Sequence, residues 1–160
     1  KSNAAYAIGM LVLNSNDTAK TLPLYPRIWE KLEPLLAVKE QRMADNVSGA
    51  LSRMMIKHPD NGFIAEALPS IISVLPLEED YEENVPIFQN IYQLYDQSNQ
   101  TVQQFTPQLL TIFEKVLSPP EEQLEDEARE MVKRTVQGLY KAQPSLFANH
   151  QSLLSLAGAQ

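Results

Sequence analysis

Between Lys57 and Lys115 the chain carries nine carboxylates and no lysine or arginine: Asp60, Glu66, Glu78, Glu79, Asp80, Glu82, Glu83, Asp96 and Glu114. That stretch holds a formal charge of −9 in a chain whose total is −7. A second cluster follows at Glu121, Glu122, Glu125, Asp126, Glu127 and Glu130. Carboxylates at this density draw basic partners and steer their approach. They also serve as a solvated face that aids solubility. The negative balance argues against nucleic acid as a direct partner, because a phosphate backbone needs cations.

Other chemistry finds little to work with. The two histidines, His58 and His150, stand far apart in the chain, and there is no cysteine. Neither a nucleophile–base pair nor a zinc constellation assembles from them, and no disulfide framework is available. His58 precedes Pro59 in a turn, and His150 is expected to face solvent. The glycines are few and isolated, so no loop is built to cradle a phosphate. Carboxylate pairs abound, yet nothing places one in the closed pocket a glycosidase requires. The expectation is a protein that is not an enzyme and holds no metal or cofactor. No apolar run approaches the ~20 residues of a membrane span. The opening residues lack a secretory pattern and an initiator Met, so the chain reads as a piece of something longer.

The elements that must carry the carboxylates are helices. Ile28, Leu32, Leu35 and Leu36 form an apolar stripe at helical spacing. So do Ile64, Leu68, Ile71, Ile72 and Leu75; Phe105, Leu109, Ile112, Phe113 and Val116; and Leu124, Ala128, Met131, Thr135 and Leu139. No alternating run suggests a strand. Turn chemistry breaks the stripes at 14–17, 58–62, 97–99, 118–120 and 143–144. Only the Asn14 to Thr21 break and the Leu77 to Glu83 segment look roomier. The pattern predicts eight short helices or part-helices in an all-α chain. Tyr25 and Trp29, flanking Pro26, are expected in the core. Tyr81, Tyr92 and Tyr95 are expected there too, with an aromatic wall for a lysine stem as the other reading.

Two landmarks repeat in register. Asn3, Asn46 and Asn84 are separated by 43 and 38 residues, and so are Pro26, Pro69 and Pro107. The implied unit is a Pro-bearing helix followed by an Asn-started helix, bracketing the ~40–47 residues of HEAT-type repeats. This predicts a HEAT-repeat α-solenoid of stacked antiparallel helix pairs. Its divisions are 1–14 (a second helix only), 22–58, 62–97, 100–143 and a terminal capping helix over 145–160. Proline should bend the first helix of each unit, and Asp45 and Asn46 should cap the second. Ala4, Ala5, Ala7, Gly9, Gly49 and Ala50 should let the second helices pack closely.

These residues carry a resemblance. The strings from Ser2 to Gly9 and from Asp45 to Met54 look like second helices of the importin-β (karyopherin-β) family. The run Leu75-Pro76-Leu77-Glu78-Glu79-Asp80-Tyr81-Glu82-Glu83 resembles the carboxy-terminal HEAT repeats of its importin-4 group, which includes the fungal karyopherin Kap123. The likeness covers essentially the whole chain and is less clear from Asn84 onward.

The resemblance implies a nuclear import receptor, shuttling between cytoplasm and nucleus, for basic cargo such as histones H3 and H4 and ribosomal proteins. Ran-GTP would bind only through amino-terminal repeats that this chain does not contain. Carried over by position, Asn46, Glu82 and Glu83 belong to a pocket for a cargo lysine on the concave surface, with Asp45 and Asp80 as additions. The chemistry is consistent, since an ammonium has three donors and no acceptor. The other reading is a HEAT scaffold subunit of a phosphatase, coat or chromatin complex that holds folded partners.

Overall fold

The apolar stripes fold as helices in the computed structural model, which describes residues 2–59, 62–120 and 123–159. Of the residues singled out above, Asp60, Asn61, Glu121 and Glu122 lie outside the described ones. Among the described residues ten α-helices follow one another: α1 (Ser2–Asn14), α2 (Thr18–Thr21), α3 (Tyr25–Leu36), α4 (Gln41–Lys57), α5 (Phe63–Ser73), α6 (Asn84–Asp96), α7 (Gln100–Gln104), α8 (Thr106–Leu117), α9 (Asp126–Ala142) and α10 (Gln151–Ala157). Short 3-10 turns occupy Leu22–Leu24, Tyr81–Glu83 and Pro144–Phe147. No strand occurs among the described residues.

Ten helices replace the expected eight because two arms bend. The first arm runs through α2, the 3-10 turn at Leu22–Leu24 and α3 without leaving helical conformation. The third runs through α7 and α8 and bends at Phe105. Part of the roomy Asn14 to Thr21 break is therefore helical. Pro26 and Pro107 sit in the first turns of α3 and α8, where a missing N–H costs nothing. Only Pro69 of the three landmark prolines lies inside a helix, α5.

The helices stack as two layers. One contains α1, α4, α6 and α9, each packed on the next. The other contains α3, α5 and α7–α8, with α10 closing against α8 and α9. The chain is thus an all-α HEAT-repeat solenoid. One continuous core joins the layers: it takes in Leu51, Met54 and Met55 of α4, Leu68, Ile71 and Ile72 of α5, and Phe88, Phe113 and Phe147 further along. Edge-on aromatic pairs punctuate it, at 5.3 Å for Tyr25–Phe63 and 5.8 Å for Trp29–Phe63.

Helix α4 is the axle. Every residue from Met43 to Met55 is buried, because α4 has neighbours on nearly all sides. Small residues make that possible. A Cβ on Gly9 would stand 2.7 Å from Ala50 Cα, so the α1 and α4 backbones touch at this point. Ala5 is buried in the seam, whereas Ala4 and Ala7 face outward.

Candidate functional site

The site begins with a misplacement that the structure corrects. Helix α4 starts at Gln41 with Glu40 as its cap residue, so Asp45 and Asn46 lie in its second turn and cap none of its own amides. They reach into the next unit instead. Asp45 Oδ2 accepts hydrogen bonds from the backbone N–H groups of Glu79 and Asp80, at 2.9 and 2.8 Å. Asn46 Nδ2 donates to Asp80 Oδ2 at 2.8 Å and to the Arg42 carbonyl at 3.0 Å. Asn84 repeats the theme one unit on, donating from Nδ2 to the Gln123 carbonyl at 2.8 Å. Its own Oδ1 is buried without a partner. Asn46 and Asn84 are thus inter-unit ties.

These ties fix the acidic loop that precedes α6. Asp80 precedes the 3-10 turn at Tyr81–Glu83, and the Glu83 N–H donates to the Asp80 backbone carbonyl at 3.1 Å. A 3-10 turn rotates by about 120° per residue, so successive side chains diverge. Glu82 is exposed, while Glu83 is 2% exposed. Glu78 and Glu79 are also exposed, and Asp80 is half-buried. Arg42 Nε approaches Glu79 Oε2 only to 3.8 Å, with both side chains solvated, so the pair contributes little.

Glu83 already has a cation. Arg53, projecting from α4, donates from Nη1 to Oε2 at 2.6 Å and from Nη2 to Oε1 at 3.3 Å. The Arg53 guanidinium also lies 5.0 Å from the centre of the Tyr6 ring on α1, within cation–π range. Burial pushes the Glu83 carboxyl above its ordinary range, and the Arg53 hydrogen bonds pull against that without cancelling it. Gly49 makes the pair possible, since a Cβ there would stand 2.5 Å from Glu83 Cδ and 3.0 Å from Arg53 Nη1. Tyr6, Arg53, Glu82, Glu83, Gln89 and Glu125 line a shallow depression of about 300 Å³.

The five predicted residues therefore gather where α4 meets the start of α6, with different duties. Glu82 and Asp80 face solvent in whole or part, and Asp45, Asn46 and Glu83 are engaged internally. Sequence reasoning missed Arg53 and Tyr6 as members. The one available signal was Gly49 four residues before Arg53, which puts a gap and a guanidinium on one helical face. Tyr92 and Tyr95 do not join the cluster. They line a second groove, of about 1190 Å³, with Gln103, Arg134, Tyr140 and Lys141. Tyr95 Oη lies 2.8 Å from Thr106 Oγ1, and burial pushes its phenol up to about 12.

The histidines are structural. His58 Nε2 lies 3.3 Å from Thr21 Oγ1, and its ring stands edge-on to Tyr25 at 5.4 Å. His150 does not face solvent as expected. Because α10 packs on α8, its Nδ1 lies 3.2 Å from Glu114 Oε2, and Ser152 Oγ also donates to Glu114. Among the described residues no three acidic or histidine side chains converge as a metal site. No described helix is long and apolar enough to cross a membrane.

Comparison with known proteins agrees with the architecture. The chain is 34% identical over 157 residues to a probable importin subunit beta-4 of Schizosaccharomyces pombe, covering 98% of the chain and 14% of that protein. It is 33% identical over 119 residues to importin-4 of Homo sapiens, covering 74% of the chain and 11% of that protein. Importin-4 of Mus musculus matches at 30% over 118 residues, covering 73% of the chain and 11% of that protein. The chain therefore spans only a small part of the length of these relatives. No family model matches it.

Proposed function

Because the chain belongs to the importin-β family, we propose that it is part of a nuclear import receptor and supplies a binding face for basic, lysine-bearing cargo. The observation that carries this reading is the run of exposed carboxylates at Glu78, Glu79 and Glu82, beside half-buried Asp80, on a loop held rigid by Asp45 and Asn46. Solvated Arg42 reaches Glu79 only at 3.8 Å, which leaves that carboxylate open to a cargo cation. A cargo ammonium meets Glu82 first, with Asp80 as second acceptor. Asn46 aims Asp80 by donating to one of its oxygens, and Asp45 pins the loop backbone against the mutual repulsion of its carboxylates. Exposed Glu125, Asp126, Glu127 and Glu130 at the start of α9 extend the same field.

Such a contact, partly desolvated, contributes roughly 1.5–3 kcal/mol. One contact makes weak binding, so affinity accumulates from several along a solenoid. Histone H3 and H4 tails and ribosomal proteins have the required chemistry, and Ran-GTP would act through repeats beyond this chain. The receptor would shuttle between cytoplasm and nucleus. Titrating the chain with a lysine-rich histone H3 tail peptide tests the reading. Binding should weaken by about tenfold or more in Glu82→Lys, as loss of one charged contact requires, and should fall with added salt. Unchanged affinity in Glu82→Lys would overturn it.

A further inference from the structure

The fold keeps two carboxylates of the cluster for itself: Asp45, spent on loop amides, and Glu83, spent on a cation. The Glu83 side chain is 3% exposed and that of Arg53 is 9%, so the pair sits behind the depression rather than on its rim. A cation site is nonetheless fully built there. Glu83 forms the floor, the Tyr6 ring forms one wall, and exposed Glu82 and Glu125 stand at the edge. Gly49 has been left without a side chain where any other residue would expel the carboxylate. The occupant comes from the chain itself.

We propose that Arg53 is a built-in surrogate for the cargo's cation, seated on Glu83 so that the acidic face reads incoming lysines through its exposed carboxylates, Glu82 first, and not through Glu83. The inference rests on the basic-cargo reading of this face. Its chemistry follows from the fork geometry of the guanidinium. Arginine meets a carboxylate through two parallel donors, whereas an ammonium offers a point charge. A cargo lysine therefore does not displace Arg53, and Glu83 stays closed to it. Arg53 also touches α1 through Tyr6 and the turn that leads into α6 through Glu83, so the same side chain that sets specificity ties α4 to α1 and to the start of α6. It is a specificity-determining residue that acts through Glu83.

The test compares Arg53→Ala with Arg53→Met. Truncation to alanine opens the depression down to Glu83, and a lysine-rich peptide should then bind about tenfold tighter than to the unmodified chain, the worth of one additional charged hydrogen bond. Methionine fills the same space without a charge, so Arg53→Met should show no gain. Millimolar methylguanidinium should raise the melting temperature of Arg53→Ala, or restore its helical circular dichroism if the variant is unfolded without it, and leave the unmodified chain unmoved. Equal loss of peptide affinity in both variants, or no response of Arg53→Ala to methylguanidinium, would overturn the surrogate role and leave Arg53 a structural pair. Failure of the underlying reading looks different: Glu82→Lys would then leave peptide binding to the unmodified chain unchanged, whatever Arg53→Ala does.

Discussion

Gly49→Ala is predicted to unhook three helices with a single methyl group. The new Cβ would stand 2.5 Å from Glu83 Cδ and 3.0 Å from Arg53 Nη1, so the carboxylate must swing off the guanidinium. The bidentate pair must open, leaving both charges without their partner. Breaking a buried pair costs about 3–5 kcal/mol, and replacing a mid-helix glycine by alanine returns about 1 kcal/mol. The net expectation is therefore a loss of about 2–4 kcal/mol in unfolding free energy, read by urea denaturation followed by circular dichroism. The same substitution in an Arg53→Met/Glu83→Ala background meets neither carboxylate nor guanidinium. There it should be neutral or stabilising by up to about 1 kcal/mol, the propensity gain alone. A change of sign between the two backgrounds is the signature of the mechanism. An equal loss in both would refute it, and would mean that Gly49 serves the backbone approach of some other element.

Other perturbations follow from the same contacts. Asp45→Ala should cost about 2–4 kcal/mol, because two loop amides lose a charged acceptor, and hydrogen exchange should accelerate at Glu79 and Asp80 while α9 stays protected. Gly9→Ala should cost about 1–3 kcal/mol by overpacking against Ala50, measured by thermal denaturation, with little effect on peptide binding at Glu82. Tyr95 provides a pH readout: its folded phenol ionises at about 12 against an ordinary 10.0. The folded state thus holds a proton that the unfolded chain releases, and the stability this gives below pH 10 is lost as pH rises from 10.0 to about 12. Tyr95→Phe should flatten that part of the pH–stability curve, and an unchanged slope would contradict the burial account.

The helices were legible because a 3.6-residue period survives in single residues: Ile64, Leu68, Ile71 and Ile72 lie on one face in the sequence and in the core. The family was legible because Asp45-Asn46 and the acidic run to Glu83 lie in a fixed order. The division of labour inside that run was not. Glu82 and Glu83 are chemically the same residue one position apart, and their fates separate only when α6 docks on α4 and Arg53 finds one of them. The asparagines misled in an instructive way. An amide at an apparent helix start reads as a cap, yet Asn46 lies well inside α4 because Gln41 to Ala44, which carry no start signal of their own, extend the helix backward. His150 was misjudged for a related reason, since only the packing of α10 on α8 brings Glu114 to it.

The central claim is that a basic cargo chain is held by the exposed carboxylates ahead of α6 and not by the buried ones. Zero-length carbodiimide coupling of a bound lysine-rich peptide, followed by mass-spectrometric mapping, tests it most directly. The account predicts amide links at Glu82, with Asp80 and Glu79 secondary, and none at Glu83 or Asp45. Links confined to the start of α9, or spread evenly over every exposed carboxylate, would contradict it.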